Sequence, residues 1–309
     1  MAGSDRSILV FGATGQQGGS VARALLASGW TVRAFVRDAA GEKAGALRRA
    51  GAVTVEGRFG DREAIMAAMQ GAYGVFSVQP SSGQGEIYGV SDAQEVAWGI
   101  QIADLAVACG LHHLVYSSAN AVGDKPTGLG HFDSKARIEA HIRTLPIAAT
   151  ILRPAAFMEM LTMPGFGLPE GQFNFFARPD QAMQLLAVPD IGKIVAAVLA
   201  DPERFAGRTM EVASDTVTGQ ELAQAFTQAA GRPIAYRRFP DTVLDANPFL
   251  AALAGLFDDG RLTGSADLTE LRAMVPSLQD FGTWIRDDGR EAFEQASRAK
   301  GSWAYGPAS

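Results

Sequence analysis

Residues 8–18 read Ile8-Leu9-Val10-Phe11-Gly12-Ala13-Thr14-Gly15-Gln16-Gln17-Gly18. The first four are apolar without a break, which predicts a strand buried on both faces, as in a parallel sheet. Apolar residues then recur with helical spacing as far as Ser28, and Gly29 ends the pattern. The run therefore predicts a strand, a glycine-rich turn and a helix.

The three glycines of this turn have the spacing Gly-x-x-Gly-x-x-Gly. Gly12 permits a tight turn, Gly15 lets a pyrophosphate approach the backbone, and Gly18 lets the helix and strand pack closely. The N–H groups that open the helix then face the phosphates. Three glycines alone also fit a purely structural turn. Their place after the first strand of a repeating βαβ chain favours a dinucleotide phosphate loop.

Strand and helix patterns alternate along the chain up to residue 152. This alternation predicts right-handed crossovers and a doubly wound parallel sheet, which is the Rossmann-type α/β fold. After Pro154 the regularity breaks, although Leu185–Val188 predicts a return to the sheet. We expect a nucleotide-binding domain over residues 1–153 and about 183–214, and a smaller, mostly helical substrate or lid domain over residues 154–182 and 215–309.

The composition narrows the classes of function. The 309 residues are 47% hydrophobic and 19% charged, with a net charge of −6 and no basic run, which argues against direct binding of nucleic acid. The single cysteine excludes a disulfide framework and favours a reducing, cytoplasmic setting. No apolar run is long enough to span a membrane, and no residue spacing matches a zinc or calcium site.

The second strand indicates which dinucleotide binds. NAD-specific proteins carry an acidic residue at its end, whereas this chain has Arg37 directly after Val36. A guanidinium can hold a 2′-phosphate, so the sequence favours NADP(H) over NAD(H). The alternative is an exposed Arg37 paired with Asp38. After the third strand, Asp61 could accept the adenine amino group, cap the following helix, or do both.

The sequence resembles the NmrA-like family of atypical short-chain dehydrogenases/reductases from about residue 7 to about residue 285. The resemblance depends on six short runs, none of them specific alone. They are Gly12-Ala13-Thr14-Gly15-Gln16-Gln17-Gly18-Gly19, Val36-Arg37-Asp38, Val75-Phe76-Ser77-Val78-Gln79-Pro80, His131-Phe132-Asp133-Ser134-Lys135, Leu152-Arg153-Pro154-Ala155-Ala156-Phe157-Met158-Glu159 and Pro189-Asp190-Ile191-Gly192.

The resemblance implies an NADP(H)-binding Rossmann domain with a smaller C-terminal domain over the cleft. The implied cofactor-binding residues lie in the glycine loop and at strand ends. They are Gly12, Thr14, Gly15, Gln16, Gln17, Gly18, Arg37, Asp61, Ser77, Gln79, Pro80, Ser117, Lys135, Pro154 and Phe157.

In the wider superfamily a Tyr-x-x-x-Lys pair on one helix face supplies a proton and holds the nicotinamide ribose. The matching residues here are His131 and Lys135, and Ala119 lies near the position of the superfamily's catalytic serine. Lys135 is retained for the ribose, and His131 could act as a general acid because the ordinary histidine pKa lies near neutrality. Alternatively, His131 only begins a helix. The altered triad favours substrates that need little oxyanion help, such as a quinone.

A flat aromatic substrate is expected to bind in an apolar pocket after the last of these strands. Its candidate lining residues are Phe157, Met158, Met160, Phe166, Phe173 and Phe176. Packing in the core or lid is an equal alternative for each of them.

The sequence is compatible with three functions. The first is an NADPH-dependent reductase of a quinone, enone or related aromatic small molecule. The second is a non-catalytic NADP(H) sensor that regulates a protein partner, since the family is known to contain such regulators. The third is a catalyst that uses the cofactor without net redox change. The aromatic residues after Pro154 and the retained Lys135 favour the enzyme, and a homodimer is left open as its assembly.

Overall fold

The computed structural model describes residues 6–82 and 89–299. The chain divides into two compact units. The first unit comprises Met1–Arg153 and Val188–Met210, and the second comprises Pro154–Ala187 and Glu211–Ser309.

Twelve strands occur among the described residues. They are β1 (Ser7–Val10), β2 (Thr31–Val36), β3 (Val53–Glu56), β4 (Gly74–Ser77), β5 (His113–Ser117), β6 (Ala148–Pro154), β7 (Ala156–Phe157), β8 (Gln172–Phe175), β9 (Met183–Leu186), β10 (Thr209–Val212), β11 (Asp215–Val217) and β12 (Ala235–Arg238).

Thirteen α-helices occur in the same ranges. They are α1 (Gln16–Ala27), α2 (Glu42–Arg49), α3 (Arg62–Met69), α4 (Asp92–Ala108), α5 (Gly130–Ile142), α6 (Val188–Ala200), α7 (Pro202–Phe205), α8 (Gly219–Ala230), α9 (Asp241–Ala246), α10 (Pro248–Asp258), α11 (Leu268–Met274), α12 (Phe281–Arg286) and α13 (Arg290–Arg298).

A seven-stranded sheet has the order β10-β6-β5-β4-β1-β2-β3. The neighbouring pairs from β6 to β3 are all parallel, which confirms the predicted doubly wound Rossmann-type sheet. Side chains alternate between the two faces of a strand, and β1, β4 and β5 are buried on both faces, as in a sheet that helices cover on both sides. On one face Leu9, Val75 and Leu114 pack in a core with residues of α3, α4 and α5. The strand order reverses between β1 and β4, and such a switch point leaves a crevice at the carboxyl ends of the strands.

The second unit contains small sheets and helices α8–α13. β9 lies between β11 and β7 in a three-stranded sheet, so the prediction that Leu185–Val188 returns to the main sheet is wrong. A run of apolar residues favours a buried strand but does not specify its partner. A second small sheet pairs β8 with β12. The sequence has Glu221 three residues after Thr218, a spacing that predicts a capping box, and α8 begins at that capping box.

Candidate active site

The glycine loop begins where β1 ends. Gly12 has a φ of +63°, a conformation that side chains disfavour, and the Gly15 N–H donates to the Gly12 carbonyl oxygen at 2.8 Å. A Cβ at Gly18 would lie 2.4 Å from the same oxygen, so only glycine allows α1 to approach β1 this closely. The predicted packing role of Gly18 is therefore confirmed.

The first turn of α1 is open to an anion. Its N-cap residue is Gly15, which has no side chain to accept from the N–H groups of the turn, and no acidic residue lies in that turn. Gly15 and Gln16 are exposed, and Thr14 and Gln17 are half-buried. Because the first N–H groups of a helix have no intrahelical acceptor, this end attracts negative charge.

Four of the predicted cofactor-binding residues form two hydrogen-bonded pairs at the carboxyl edge of the sheet. Ser117 Oγ, at the end of β5, donates to Gln17 Oε1 at 2.7 Å. Gln79 Nε2 donates to Ser77 Oγ at 2.7 Å, beside the half-buried Pro80. The hydrogen bond between Ser117 and Gln17 links β5 to α1, so these two side chains lie next to the glycine loop.

Arg37 follows β2 and is exposed. Within the described residues it forms no ion pair with Asp38. The Asp38 Oδ1 instead accepts from the backbone N–H groups of Ala40 and Gly41, at 2.9 and 3.1 Å. Asp38 therefore shapes its own turn. The guanidinium stays available at the end of the strand where a phosphorylated ribose is expected.

Asp61 is the N-cap of α3, and its Oδ1 accepts from the Ala64 N–H at 3.0 Å. The capping alternative is therefore confirmed. Contact with adenine remains a prediction. Nearby, Phe59 stacks on Trp98 with ring centroids 5.3 Å apart.

Lys135 lies on α5, one turn after His131. Its Nζ donates to Glu95 Oε1 at 2.5 Å, to Ser81 Oγ at 3.2 Å and to the His131 carbonyl oxygen at 3.0 Å. Glu95 and Ser81 were not among the predicted site residues. Glu95 shares a helix face with Gly99 and Ile102, both buried, and a carboxylate on an apolar face was the signal that could have found it.

His131 does not have the near-neutral pKa expected from its type. Burial, and then the charge of Lys135, lower the pKa of His131 to about 4. The ring lies against Phe132, with centroids 4.1 Å apart. At pH 7 the imidazole is therefore neutral, and it is a much weaker acid than the imidazolium on which the general-acid hypothesis depends.

A second buried carboxylate, Glu139, lies one turn beyond Lys135. It accepts from Arg153 Nε at 3.0 Å, from Ser118 Oγ at 2.5 Å and from Arg143 at 2.6 Å. Burial raises the pKa of Glu139, but the hydrogen bonds from Arg153 and Ser118 outweigh it and the net shift is downward. These contacts fix α5 to the carboxyl ends of β5 and β6.

Tyr116 is the residue of β5 that precedes Ser117. Burial raises the pKa of its hydroxyl well above the usual value, and the charges of Glu95 and Glu139 add to the effect. Within the described residues its hydroxyl has no hydrogen-bond partner. Because Tyr116 is fully buried, its hydroxyl is not presented to a substrate in place of the tyrosine absent at position 131.

The predicted substrate residues, including Phe157, lie in the second unit, and so does Pro154. Met158 and Phe173 are fully buried, Phe166 and Phe176 are nearly so, and Met160 is 45% exposed. Phe173 packs between Phe166 and Phe226, at centroid distances of 5.6 and 4.8 Å. A cavity of about 440 Å³ in this unit is lined by Phe166 and by the other residues from Met163 to Glu170, but Phe173 does not line it. These positions favour core packing for Phe173.

Residues 6–82 and 89–299 contain neither a cluster suited to a metal ion nor a helix suited to span a membrane. No cluster of three or more His, Cys, Asp or Glu side chains could hold a metal ion there. No helix there is both long and apolar enough to cross a bilayer.

A model of the NmrA-like family matches residues 4–259. The chain belongs to the NmrA-like family. One NmrA-like relative, the oxidoreductase malD of Malbranchea aurantiaca, is 29% identical over 310 residues, which cover 93% of this chain and 87% of malD.

Two solved structures share the fold of this NmrA-like chain. NmrA, a negative transcriptional regulator, in complex with NADP has a TM-score of 0.77 at 21% identity, covering 96% of this chain and 99% of that one. NmrA has also been solved with NAD. The triphenylmethane reductase of Citrobacter sp. complexed with NADP(H) has a TM-score of 0.72 at 21% identity, covering 94% and 99%. At these identities the likeness concerns the fold alone.

Proposed function

We propose that this NmrA-like chain is an NADPH-dependent oxidoreductase that reduces a quinone, an enone or a related aromatic small molecule. The observation that carries the proposal is the open first turn of α1 at the β1/β4 switch point. Within the described residues no side chain caps this turn with a hydrogen bond, its N-cap is a glycine, and Gly12 begins the loop in a left-handed conformation. This arrangement fits the phosphates of a dinucleotide.

Arg37 supports the phosphorylated cofactor. Its side chain is exposed at the end of β2, and Asp38, the acid that could have favoured NAD(H), is held by backbone N–H groups. A guanidinium in this position would neutralise a 2′-phosphate. The neighbouring NmrA structures contain either NADP or NAD, so Arg37 is the feature of this chain that supports the choice.

Bound NADPH would supply the hydride. Lys135 would hold the nicotinamide ribose, and the neutral His131 would line the site without acting as a general acid. A quinone suits such a site because the reduced product is an acidic phenol that can form without a general acid. The relative malD is named an oxidoreductase and one fold neighbour is a reductase, which supports a redox role.

A second candidate is a cofactor sensor that acts through a protein partner. The likeness to NmrA, a negative transcriptional regulator, favours it, and so does the alanine near the superfamily's serine position. For either function we propose a cytoplasmic location and a homodimer.

NADPH oxidation against a panel of quinones separates the two candidates. The enzyme proposal expects steady turnover, with Lys135→Ala reducing NADPH affinity, and His131→Ala leaving affinity intact. Tight NADPH binding without turnover on any acceptor would support the sensor. Arg298→Ala is the control, since Arg298 is an exposed cation on α13, pairs with the exposed Glu294 and has no place in the proposed site.

A further inference from the structure

The ammonium group of Lys135 belongs to a closed ring of contacts. Lys135 Nζ donates to Glu95 Oε1 and to Ser81 Oγ, and Ser81 Oγ donates to Glu95 Oε2 at 3.0 Å. The His131 carbonyl oxygen takes the third N–H. An ammonium has three donors, so all of them are used. A cofactor hydroxyl can accept from Lys135 only if one of these acceptors gives way.

The three acceptors are not equivalent. Glu95 carries a charge and is 1% exposed, whereas Ser81 Oγ and the His131 carbonyl oxygen are neutral. All three hydrogen bonds have a charged donor, but only the contact with Glu95 adds the attraction between opposite charges. A buried carboxylate that loses its cation would also be left without compensation. The hydrogen bonds to the two neutral acceptors, Ser81 Oγ and the His131 carbonyl oxygen, are therefore the ones that a cofactor hydroxyl can replace.

The backbone around Glu95 leaves little freedom. Glu95 lies in the first turn of α4, behind a capping box formed by Ser91 and Gln94. The start of α5 abuts the same turn, because a Cβ at Gly130 would lie 1.8 Å from Asp92 Oδ2. Glu95 is thus a fixed anchor, and Lys135 is a flexible side chain held by it.

From these contacts we infer that Glu95 is the positioning residue for Lys135. Glu95 keeps its ion pair while a hydroxyl of the nicotinamide ribose replaces Ser81 Oγ or the His131 carbonyl oxygen. The inference rests on the proposed function, because it names the residue through which Lys135 would reach the cofactor.

Calorimetry with two ligands tests this role. NADPH contains the nicotinamide ribose, whereas adenosine 2′,5′-bisphosphate contains only the adenosine half. Glu95→Gln keeps an acceptor for Lys135 but removes the opposite charge, so it is expected to weaken NADPH binding about tenfold and to change binding of the bisphosphate less than about twofold. A merely structural role would weaken both ligands together.

Asp104→Asn is the matched control. Asp104 also lies on α4 and pairs across to α5, with Oδ1 2.6 Å from His141 Nε2, but it is two to three turns farther along the helix. The variant should bind both ligands as the unaltered chain does.

A double-mutant cycle guards against misfolding of the single variant. Glu95→Gln with Lys135→Met leaves no unpaired buried charge, and it should bind NADPH as Lys135→Met does, because Glu95 acts only through Lys135. Additive losses, equal losses for both ligands, or no loss in Glu95→Gln would overturn the role of Glu95 alone. Failure of the unaltered chain to bind NADPH would overturn the proposed function as well.

Discussion

His131 and His113 have the same intrinsic chemistry as any histidine, yet burial gives both a pKa of about 4. For His113 the contacts explain the effect. Thr150 Oγ1 donates its hydrogen to the Phe205 carbonyl oxygen at 2.8 Å, so it accepts from His113 Nε2, also at 2.8 Å. The Nδ1 atom is buried without a hydrogen-bond partner in the described structure, and a proton there would be unsatisfied.

The buried histidines predict how stability depends on pH. Each has a folded-state pKa below its unfolded value of 6.5, so the unfolded chain binds more protons between pH 6.5 and 4. The contribution is fully present above pH 6.5 and is lost as the pH falls toward 4. We expect about 3 kcal/mol of stability to be lost per group across that window.

Denaturant unfolding at several pH values measures this loss. His113→Gln keeps a donor for Thr150 but does not titrate, so its free energy of unfolding should fall less steeply between pH 6.5 and 4. His112→Gln, at the exposed adjacent position, should keep the slope of the unaltered chain. Equal slopes for the two variants would contradict the assignment to His113.

Arg37 gives the second prediction at this scale. Arg37→Ala is expected to weaken NADPH binding by about 10- to 100-fold, the value of hydrogen bonds to a charged group, and to leave NADH binding nearly unchanged. Arg49→Ala, an exposed arginine in the last turn of α2, is the control. Calorimetry with both cofactors measures the ratio, and an equal effect of Arg37→Ala on the two would remove the guanidinium from the ribose site.

At the scale of elements, contacts between helices set the site. Helices α4 and α5 are joined by the ion pair of Glu95 with Lys135 and by a hydrogen bond between Asp104 and His141. The first turn of α1 meets the end of β5 through Gln17 and Ser117. The phosphate loop, by contrast, depends on how closely α1 approaches β1.

Two glycine substitutions should therefore have opposite effects. Gly18→Ala places a Cβ 2.4 Å from a backbone oxygen and is expected to cost about 1–3 kcal/mol of stability and to weaken NADPH binding. Gly255→Ala lies in the exposed part of α10 with nothing within 4 Å, and should stabilise the chain by about 0.5–1 kcal/mol. Chemical denaturation of both variants measures the difference, and a Gly18→Ala chain as stable as the original would refute the close approach.

At the scale of the whole molecule, the chain combines a Rossmann-type unit with a second unit of small sheets and helices. Ligand binding to the folded state shifts the unfolding equilibrium of the unit that binds. The thermal stability of the full chain therefore reports which cofactor it recognises.

NADPH at a hundred times its Kd should stabilise the folded chain by about 2.7 kcal/mol, which corresponds to several degrees in Tm. NADH at the same concentration should raise the Tm less. A thermal melt monitored by circular dichroism measures both. An unchanged Tm with either cofactor would refute the dinucleotide site.

The order of residues alone was enough to predict the Rossmann-type sheet, the glycine loop and the capping box at Thr218, because these follow from local periodicity and backbone geometry. Other features required the folded chain. The partner of β9, the pairing of Lys135 with Glu95 forty residues away, and the lowered pKa of His131 all arise from segments distant in sequence. Burial and long-range pairing depend on which surfaces meet, and no local pattern contains that information.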